Sequence, residues 1–471
     1  MSEALAAEQP SPRPALADSI SADVCVVGGG YTGLWAAIEV RERSPDAQVV
    51  LIEREQCGFG ASGRNGGWAT GWHDELDSLV DHFGEKEALR LAERSSWAID
   101  RIESFCDERG IDCHFRRKGA LWAASARAQI GAWEGAFEAC HRLGRADRLE
   151  LIDGEELRHR TGSPVLFGGA RQTDAASVQP ALLVRGLRRA AIELGVQVYE
   201  ATPMIGLDRG HPAVVRVPAG SVTTDRVVLA TGAWSARFRE LRRAIIPIGS
   251  HIVATEPLGD RVSKLEWANG ELLGDSRLMV HYAQVSVDGR IVFGRGGGSL
   301  GSFGRVTERQ FYDPGALSAV VKDFRRWFPQ FAGARLTHGW GGPVDRSPGH
   351  LPFVGCLESE SLVVYGLGYS GNGVAPSALI GRMLGRIAIG DKDEDTEGEL
   401  AKGPPGYLPP EPIRTVGGAA LRTAVQFVEG EQEKGLQAGT VHRVLRSLVA
   451  TTVPRSLDPR RPQPCERPKA L

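Results

Sequence analysis

The stretch Asp23 to Glu53, DVCVVGGGYTGLWAAIEVRERSPDAQVVLIE, decides how this chain is read. Asp23 to Val27 is a short β-rich run, and Gly28, Gly30 and Gly33 then spell G-x-G-x-x-G. Leu34 to Arg43 has helix formers and an apolar face, Gln48 to Ile52 is a second β-rich run, and Glu53 stands 20 residues after Gly33. Strand, glycine turn, helix, strand and terminal acid are the parts of a dinucleotide-binding βαβ unit. In such a unit Gly28 permits the tight turn, Gly30 lets a pyrophosphate approach the backbone, and Gly33 lets the helix lie close to the strand. The first helical turn, with Tyr31 and Thr32, offers unpaired N–H groups and a positive dipole end to phosphate. That is worth about 0.3–1 kcal/mol when exposed and up to about 2 when partly buried. Glu53 accepts hydrogen bonds from a ribose. A glycine turn alone carries little weight; the flanking strands, the helix and the acid at the expected distance give this one its meaning.

Outward from that unit, the composition sets bounds. The chain has 471 residues, enough for two or three domains, and 42% of them are hydrophobic. A net charge of −2 gives no global field favouring nucleic acid. Seven cysteines, widely spaced and without C-x-x-C, argue against a disulfide framework or a zinc site and suit a cytoplasmic location. No metal site is expected. The first 20 residues lack the apolar core of a signal peptide and read as part of a disordered tail over 1–21. No apolar run reaches the length of a transmembrane helix, so no membrane span is expected.

Immediately after Glu53 and Arg54, residues 58–72 read GFGASGRNGGWATGW. Such a loop can wrap a polar ligand with backbone N–H groups and supply an arginine to a phosphate. Further on, Arg226 to Ala230 is a buried strand running into a Thr231-Gly232 turn. A second G-x-G-x-x-G, at Gly366, Gly368 and Gly371, follows a β-rich run and opens a helix from Val374 to about Ile389. The acidic run Asp391 to Asp395 follows it in place of another strand ending in an acid, so we do not read it as an NAD site.

The opening G-x-G-x-x-G, the terminal Glu53 and the sequence G-A-S-G-R-N-G-G together resemble the FAD-dependent amine and amino-acid oxidoreductases. That superfamily includes D-amino-acid oxidase, glycine oxidase and sarcosine oxidase. The R-N-G-G form is most similar to the branch of γ-glutamylputrescine oxidase and the aminophosphonate oxidoreductases. The resemblance implies noncovalent FAD, with Gly28, Gly30, Tyr31, Thr32, Gly33, Glu53 and Arg54 at its nucleotide end. Ala61, Ser62, Gly63, Arg64, Asn65, Gly66 and Gly67 would line the pyrophosphate and flavin, and Val198 would contact the adenine. Thr231 and Gly232 would sit beside the cofactor. Gly371, Asn372, Gly373 and Val374 would face the N1/O2 edge of the flavin, where a helix N-terminus stabilises negative charge.

The same resemblance implies an α/β fold: a Rossmann-like, glutathione-reductase-type FAD-binding domain with an interleaved antiparallel-sheet substrate domain. Residues 22–79, 165–240 and 340–395 are expected in the first, 80–164 and 241–339 in the second, and 396–471 in a C-terminal extension whose end is disordered. The expected reaction is oxidation of the C–N bond of a small amine, with oxygen or another compound as acceptor. In glycine oxidase-like members an arginine in the segment Gly339 to Gly355 grips the substrate carboxylate; Val344 stands at that place here. His251, Tyr282, Asp345 and Tyr369 are the candidate substrate-positioning residues, and His73 is a further residue that could face the pocket. A flavin-binding subunit of a larger electron-transfer assembly, and oxidation of a hydroxy acid, stay open as alternatives. The amine and the oligomeric state are not legible.

Overall fold

The computed structural model describes residues 13–357 and 362–436. Among them the nucleotide-side sheet has eight strands. Its centre is parallel: Ile20–Val27 lies between Val49–Ile52 and Gly220–Leu229, and the latter also pairs with Leu362–Leu367. Gln197–Tyr199 extends the parallel edge, while Gly206–Asp208 and Ala213–Val217 add an antiparallel meander on the other side. Val24, Cys25, Val26 and Val27 are all buried, as a central parallel strand covered on both faces requires.

The opening helix, Tyr31–Arg43, packs closely against Pro376–Ile389. Two glycines make that crossing possible. A Cβ on Gly381 would lie 2.4 Å from Cβ of Trp35, and one on Gly385 would lie 2.8 Å from the carbonyl oxygen of Ala36. The helix Glu85–Glu108 joins the same apolar cluster through Leu91, Ile99, Ile102 and Phe105, with the Phe105 ring edge-on to Trp35 at 4.9 Å. Residues 80–164 were expected in the substrate unit. This helix, which opens that segment, packs with the nucleotide-side helices, because its apolar stripe meets theirs.

The second sheet also has eight strands among the described residues. It runs Leu336–Arg346, Ile246–Thr255, Ile291–Arg295, His281–Val285, Leu272–Asp275, Ala120–Ala123, Gly168–Gln172 and Leu149–Asp153. All neighbours are antiparallel except Leu272–Asp275 beside Ala120–Ala123, a parallel pair where two separate chain segments meet. Its outer face is covered by Pro314–Trp327 over an aromatic cluster of Trp267, Phe293, Phe324, Trp327 and Phe328. Trp267 and Phe328 are stacked at 5.5 Å. A small three-stranded sheet, with Trp68–Thr70, Ala175–Ser177 and Arg116–Arg117, links the two larger ones.

Local departures from expectation have identifiable causes. Gly84, with φ 77°, ends the helix Leu76–Phe83 before Glu85–Glu108 begins. Gly131, with φ 88°, precedes the helix Glu134–Arg142. The N-terminal tail was expected to be disordered through residue 21. Instead the Leu16 N–H donates to Thr202 Oγ1 at 3.0 Å, Leu16 is buried, and the first strand starts at Ile20. The helix expected over Thr440 to Val453 and the basic end from Pro454 lie outside the described residues, as do residues 1–12. Cys25, Cys57, Cys106, Cys113 and Cys140 are free and buried. Cys356 is disulfide-bonded, a single bond that the odd count and wide spacing gave no reason to expect.

Candidate active site

A cavity of about 420 Å³ runs along the C-terminal ends of the parallel strands. It is lined by Gly28, Gly30, Tyr31, Thr32, Glu53 and Arg54 of the opening unit and by Pro343, Asp345, Gly366 and Tyr369 from later in the chain. The turn at its base is sterically fixed. Gly28 has φ 113°, and a Cβ there would lie 2.4 Å from the carbonyl oxygen of Ala230. A Cβ on Gly33 would lie 1.9 Å from the carbonyl oxygen of Gly28, so the helix can start where it does only with glycine at 33. The Tyr31 N–H donates to Ser62 Oγ at 2.9 Å. Glu53 accepts from the N–H of Gly29 at 2.8 Å and of Glu55 at 3.0 Å. Burial pushes the Glu53 carboxyl upward, and those two amides oppose the shift by holding the ionised form. Lone pairs on its oxygens remain for ribose hydroxyls.

The loop 58–67 closes this space from the side. Asn65 knits it together: its side-chain amide donates to the carbonyls of Ala61 and Ser62, and its Oδ1 accepts from the Gly67 N–H at 2.8 Å. Ala61 and Ser62 line the cavity. Gly63 is buried under them and its N–H donates to the Gly58 carbonyl. Arg64 does something other than reach a phosphate. Its Nε donates to the Phe59 carbonyl at 2.7 Å, and its guanidinium lies 4.9 Å from the Phe59 ring centroid and 5.0 Å from that of Phe311. Arg54 has a comparable seat, 5.0 Å from the Trp234 ring centroid. Thr231 and Gly232 line the cavity, with Thr231 Oγ1 bonded to Ser235 Oγ at 2.8 Å.

Val198 is a correction. It pairs with Leu51 and is buried in the core, because the strand Gln197–Tyr199 ends before the cavity begins. The wall comes from the next segment, where Thr202, Pro203, Met204, Ile205, Gly206 and Leu207 take that place. The second glycine turn behaves differently from the first. Gly366 lines the cavity, and Gly371, at φ 111°, has open space where a Cβ would stand. Gly373 packs on the Tyr369 ring, Asn372 Oδ1 accepts from Thr70 Oγ1 at 3.3 Å, and Val374 is buried. The helix behind them starts at Pro376, two residues later than expected.

The four candidate positioning residues do not converge on one point. Asp345 lines the cavity but is engaged by the backbone: its Oδ2 accepts the Gly368 N–H at 2.7 Å and its carbonyl the Ser370 N–H at 3.1 Å. Burial raises its carboxyl to about 6. Tyr369 lines the cavity with its hydroxyl 2.6 Å from Thr32 Oγ1, which ties the second glycine turn to the first helix. Tyr282 lies on the sheet face above. Its hydroxyl is 2.7 Å from Ser250 Oγ, and its ring fills the space over Gly66 and Gly294, where a Cβ would approach within 2.8 and 2.2 Å. Burial pushes its phenol up to about 12. His251 alternates to the opposite face of its strand, with Nε2 3.2 Å from the Arg309 carbonyl, and is removed from the set. His73 is likewise buried away from the cavity, beside Ser96 and Glu93. The Arg346 guanidinium is 3.0 Å from His350 Nε2, and burial together with that guanidinium pulls the imidazole down to about 4.

A model of the family described as FAD dependent oxidoreductase matches residues 23–387, most of the chain. The chain belongs to the FAD dependent oxidoreductase family. It is 30% identical over 401 residues to a probable oxidoreductase OrdL of Haemophilus influenzae, covering 84% of this chain and 89% of that protein. It is also 30% identical over 394 residues to the gamma-glutamylputrescine oxidoreductase of Escherichia coli K12, covering 83% and 89%. In fold it resembles the crystal structure of glycine oxidase from Geobacillus kaustophilus, with a TM-score of 0.66 at 19% identity over 79% of this chain and 96% of that one.

For a member of this family the cofactor is FAD, and the residues of the cavity fit it. The phosphate end has a helix start with glycine at Gly30 and Gly33, and the ribose end has a carboxylate already oriented by two amides. The second glycine turn contributes Gly366 and Tyr369 to the wall. Sequence reasoning missed Phe59, Trp234, Arg237 and Phe238, which line the cavity mouth, and Met204 to Leu207. The aromatic residues around the R-N-G-G loop were the available signal. The Met204 segment carried none, since its role depends on where a strand stops. Among the described residues no helix is long and apolar enough to cross a membrane.

Proposed function

We propose that this flavoprotein oxidises the C–N bond of a small amine or amino compound, with substrate entering between the R-N-G-G loop and the sheet face that carries Tyr282. The observation that carries this reading is the cavity that Glu53, Ser62, Thr231, Asp345 and Tyr369 line together beside the R-N-G-G loop. Bound FAD would supply the hydride acceptor and would pass the electron pair on to oxygen or another acceptor. The protein's part is placement. Tyr282, with its phenol held neutral by burial, offers the substrate an O–H rather than a charge. Gly66, where a Cβ would lie 2.8 Å from the Tyr282 ring, lets that ring rest directly on the R-N-G-G loop. Tyr369 and Asp345 hold the second glycine turn against the first helix and act as positioning residues rather than as an acid–base pair. The amine is oxidised in its neutral form, so no strong base is required. Water then hydrolyses the imine to a carbonyl compound and an amine or ammonia.

Residue assignments by resemblance at Gly63, Asn65, Gly67, Asn372, Gly373 and Val374 belong to this reading, as loop-shaping groups around the flavin. So do a cytoplasmic location and the absence of nucleic-acid and membrane partners. The test is anaerobic flavin reduction against a panel containing γ-glutamylputrescine, aminoethylphosphonates, polyamines, glycine, sarcosine and D-amino acids. Bleaching with release of amine or ammonia is expected. Bleaching by a hydroxy acid, or only after addition of a partner chain, overturns the reading.

A further inference from the structure

The helix Ile413–Glu433 lies beyond residue 387, where the family match ends, yet its acids reach into the sheet that carries Tyr282. Glu429 is 1% exposed, and its Oε1 accepts the N–H of Leu278 at 2.9 Å and of Met279 at 3.3 Å. One turn on, Glu433 Oε1 is 2.6 Å from Arg277 Nη1. Arg277 Nε in turn lies 3.1 Å from Asp275 Oδ2. Asp275 then accepts from the His281 N–H at 2.8 Å, and its Oδ2 is 2.8 Å from His281 Nδ1. The second imidazole nitrogen is 3.0 Å from Asp323 Oδ2, which also takes Arg295 Nη1 at 2.8 Å. An imidazole with a carboxylate at each nitrogen donates from both and is held as imidazolium. The row therefore runs from the C-terminal helix to the residue directly before Tyr282.

The physical need is clear at Leu278 and Met279. They lie in the irregular link between the strands Leu272–Asp275 and His281–Val285, where no strand partner accepts their amides. Glu429 is that acceptor. Without it two amides, one of them on the buried Met279, lose their partner, and the link must move to regain one. A shift of about 1 Å at a positioning residue can cost about a hundredfold in rate.

We propose that the C-terminal helix is part of the catalytic unit: through Glu429 and Glu433 it fixes the link Ser276 to Val280, and thereby the position of Tyr282. This rests on the reading of Tyr282 as a substrate-positioning residue. The FAD-loaded full chain and its Glu429→Ala, Glu429→Gln, Tyr282→Phe and Glu429→Ala/Tyr282→Phe variants carry the test. Two readouts are taken: amide hydrogen exchange over residues 276–285, and kcat and KM for whichever amine reduces the wild type. Glu429→Ala is expected to speed exchange at Leu278 to Tyr282 and to lower kcat/KM about tenfold with FAD retained. Glu429→Gln keeps an acceptor oxygen and stays near wild type. In the double variant the Tyr282→Phe loss is not added to that of Glu429→Ala, because both act on one group. Additive losses, or unchanged exchange, overturn the proposal. If Glu429→Ala does not accumulate as holoprotein, Glu433→Ala, at a half-buried position, takes its place with the same expectations. If no amine reduces the wild type, the functional reading fails separately. The exchange pattern and the visible flavin spectrum then decide: Glu429→Ala and Tyr282→Phe must perturb that spectrum alike, and an unperturbed spectrum in Glu429→Ala overturns the proposal.

Discussion

The cavity wall from Gly28 to Ser62 and the sheet face that carries Tyr282 are built on different physical principles. On the first, glycines bring backbone atoms to the cavity surface and keep space for close approach. Gly28 and Gly33 are hemmed in by carbonyl oxygens, and Glu53 is oriented by amides of its own loop. On the second, side chains from separate strands and a distant helix share one buried charge row, from Glu433 through Arg277, Asp275 and His281 to Asp323. The first is local in sequence and stiff. The second is assembled from segments more than a hundred residues apart and depends on every member being paired, since an orphaned buried charge is costly. A backbone-made wall suits a cofactor common to many chemistries, whereas a side-chain-made wall can be changed to suit a particular substrate.

The comparison is broken most severely on the backbone side. Gly33→Ala drives a Cβ to within 1.9 Å of the Gly28 carbonyl oxygen, and the backbone must move. Overpacking of this kind costs about 1–3 kcal/mol or more, so the variant is expected to accumulate poorly and to bind little FAD. Flavin absorbance per mole of purified protein checks it, and normal loading would show that the turn has slack the geometry denies.

Asp345 sits where the two walls meet, and its effect is read through pH. Its carboxyl is raised from 3.8 to about 6, so the folded chain keeps a proton that the unfolded chain has already lost in that window. Stability attributable to this group is therefore greatest below about pH 4 and falls as pH rises through about 6. Asp345→Asn removes the window while keeping an acceptor for the Gly368 N–H. Its melting temperature should exceed that of the wild type at pH 7 but match it near pH 4. The difference is at most about 3 kcal/mol. Equal melting profiles across that range contradict the assignment.

Glu53→Gln tests the ribose end. Replacing an ionised acceptor by a neutral one weakens charge-assisted hydrogen bonds worth about 1.5–3 kcal/mol, so FAD affinity should fall about ten- to a hundredfold. Titration of apoprotein with FAD measures it, and the variant should fold as the wild type does. The smallest effect is expected at His251, which faces away from the cavity. His251→Gln should leave kcat and KM within about twofold of the wild type. A large drop in kcat with stability preserved would return this residue to the site.

How much was legible in the sequence follows from the same difference. Gly28, Gly30, Gly33 and Glu53 could be placed because a turn, a helix start and a terminal acid have fixed spacing. The R-N-G-G loop was readable because its residues mostly serve one another, as Asn65 does for Gly67. His251 and Tyr282 could not be separated, because a register of one residue in each strand decides which face a side chain takes. Val198 was misplaced for a related reason: the length of a short edge strand, not its composition, sets which residue reaches the cavity. Glu429 was invisible, since nothing in a helical run at the end of the chain announces that its acid is buried against an interstrand link 150 residues earlier. Gly381 and Gly385 look like interruptions of a helix and are its contact surface.

The most direct test of the account is an anaerobic titration of the purified yellow protein with amines, following flavin colour and released amine or ammonia together. The account predicts that at least one small amine bleaches the flavin with stoichiometric formation of a carbonyl product, and that Tyr282→Phe slows this without loss of bound FAD. Flavin that no amine bleaches, but that a hydroxy acid reduces without release of nitrogen, would contradict it.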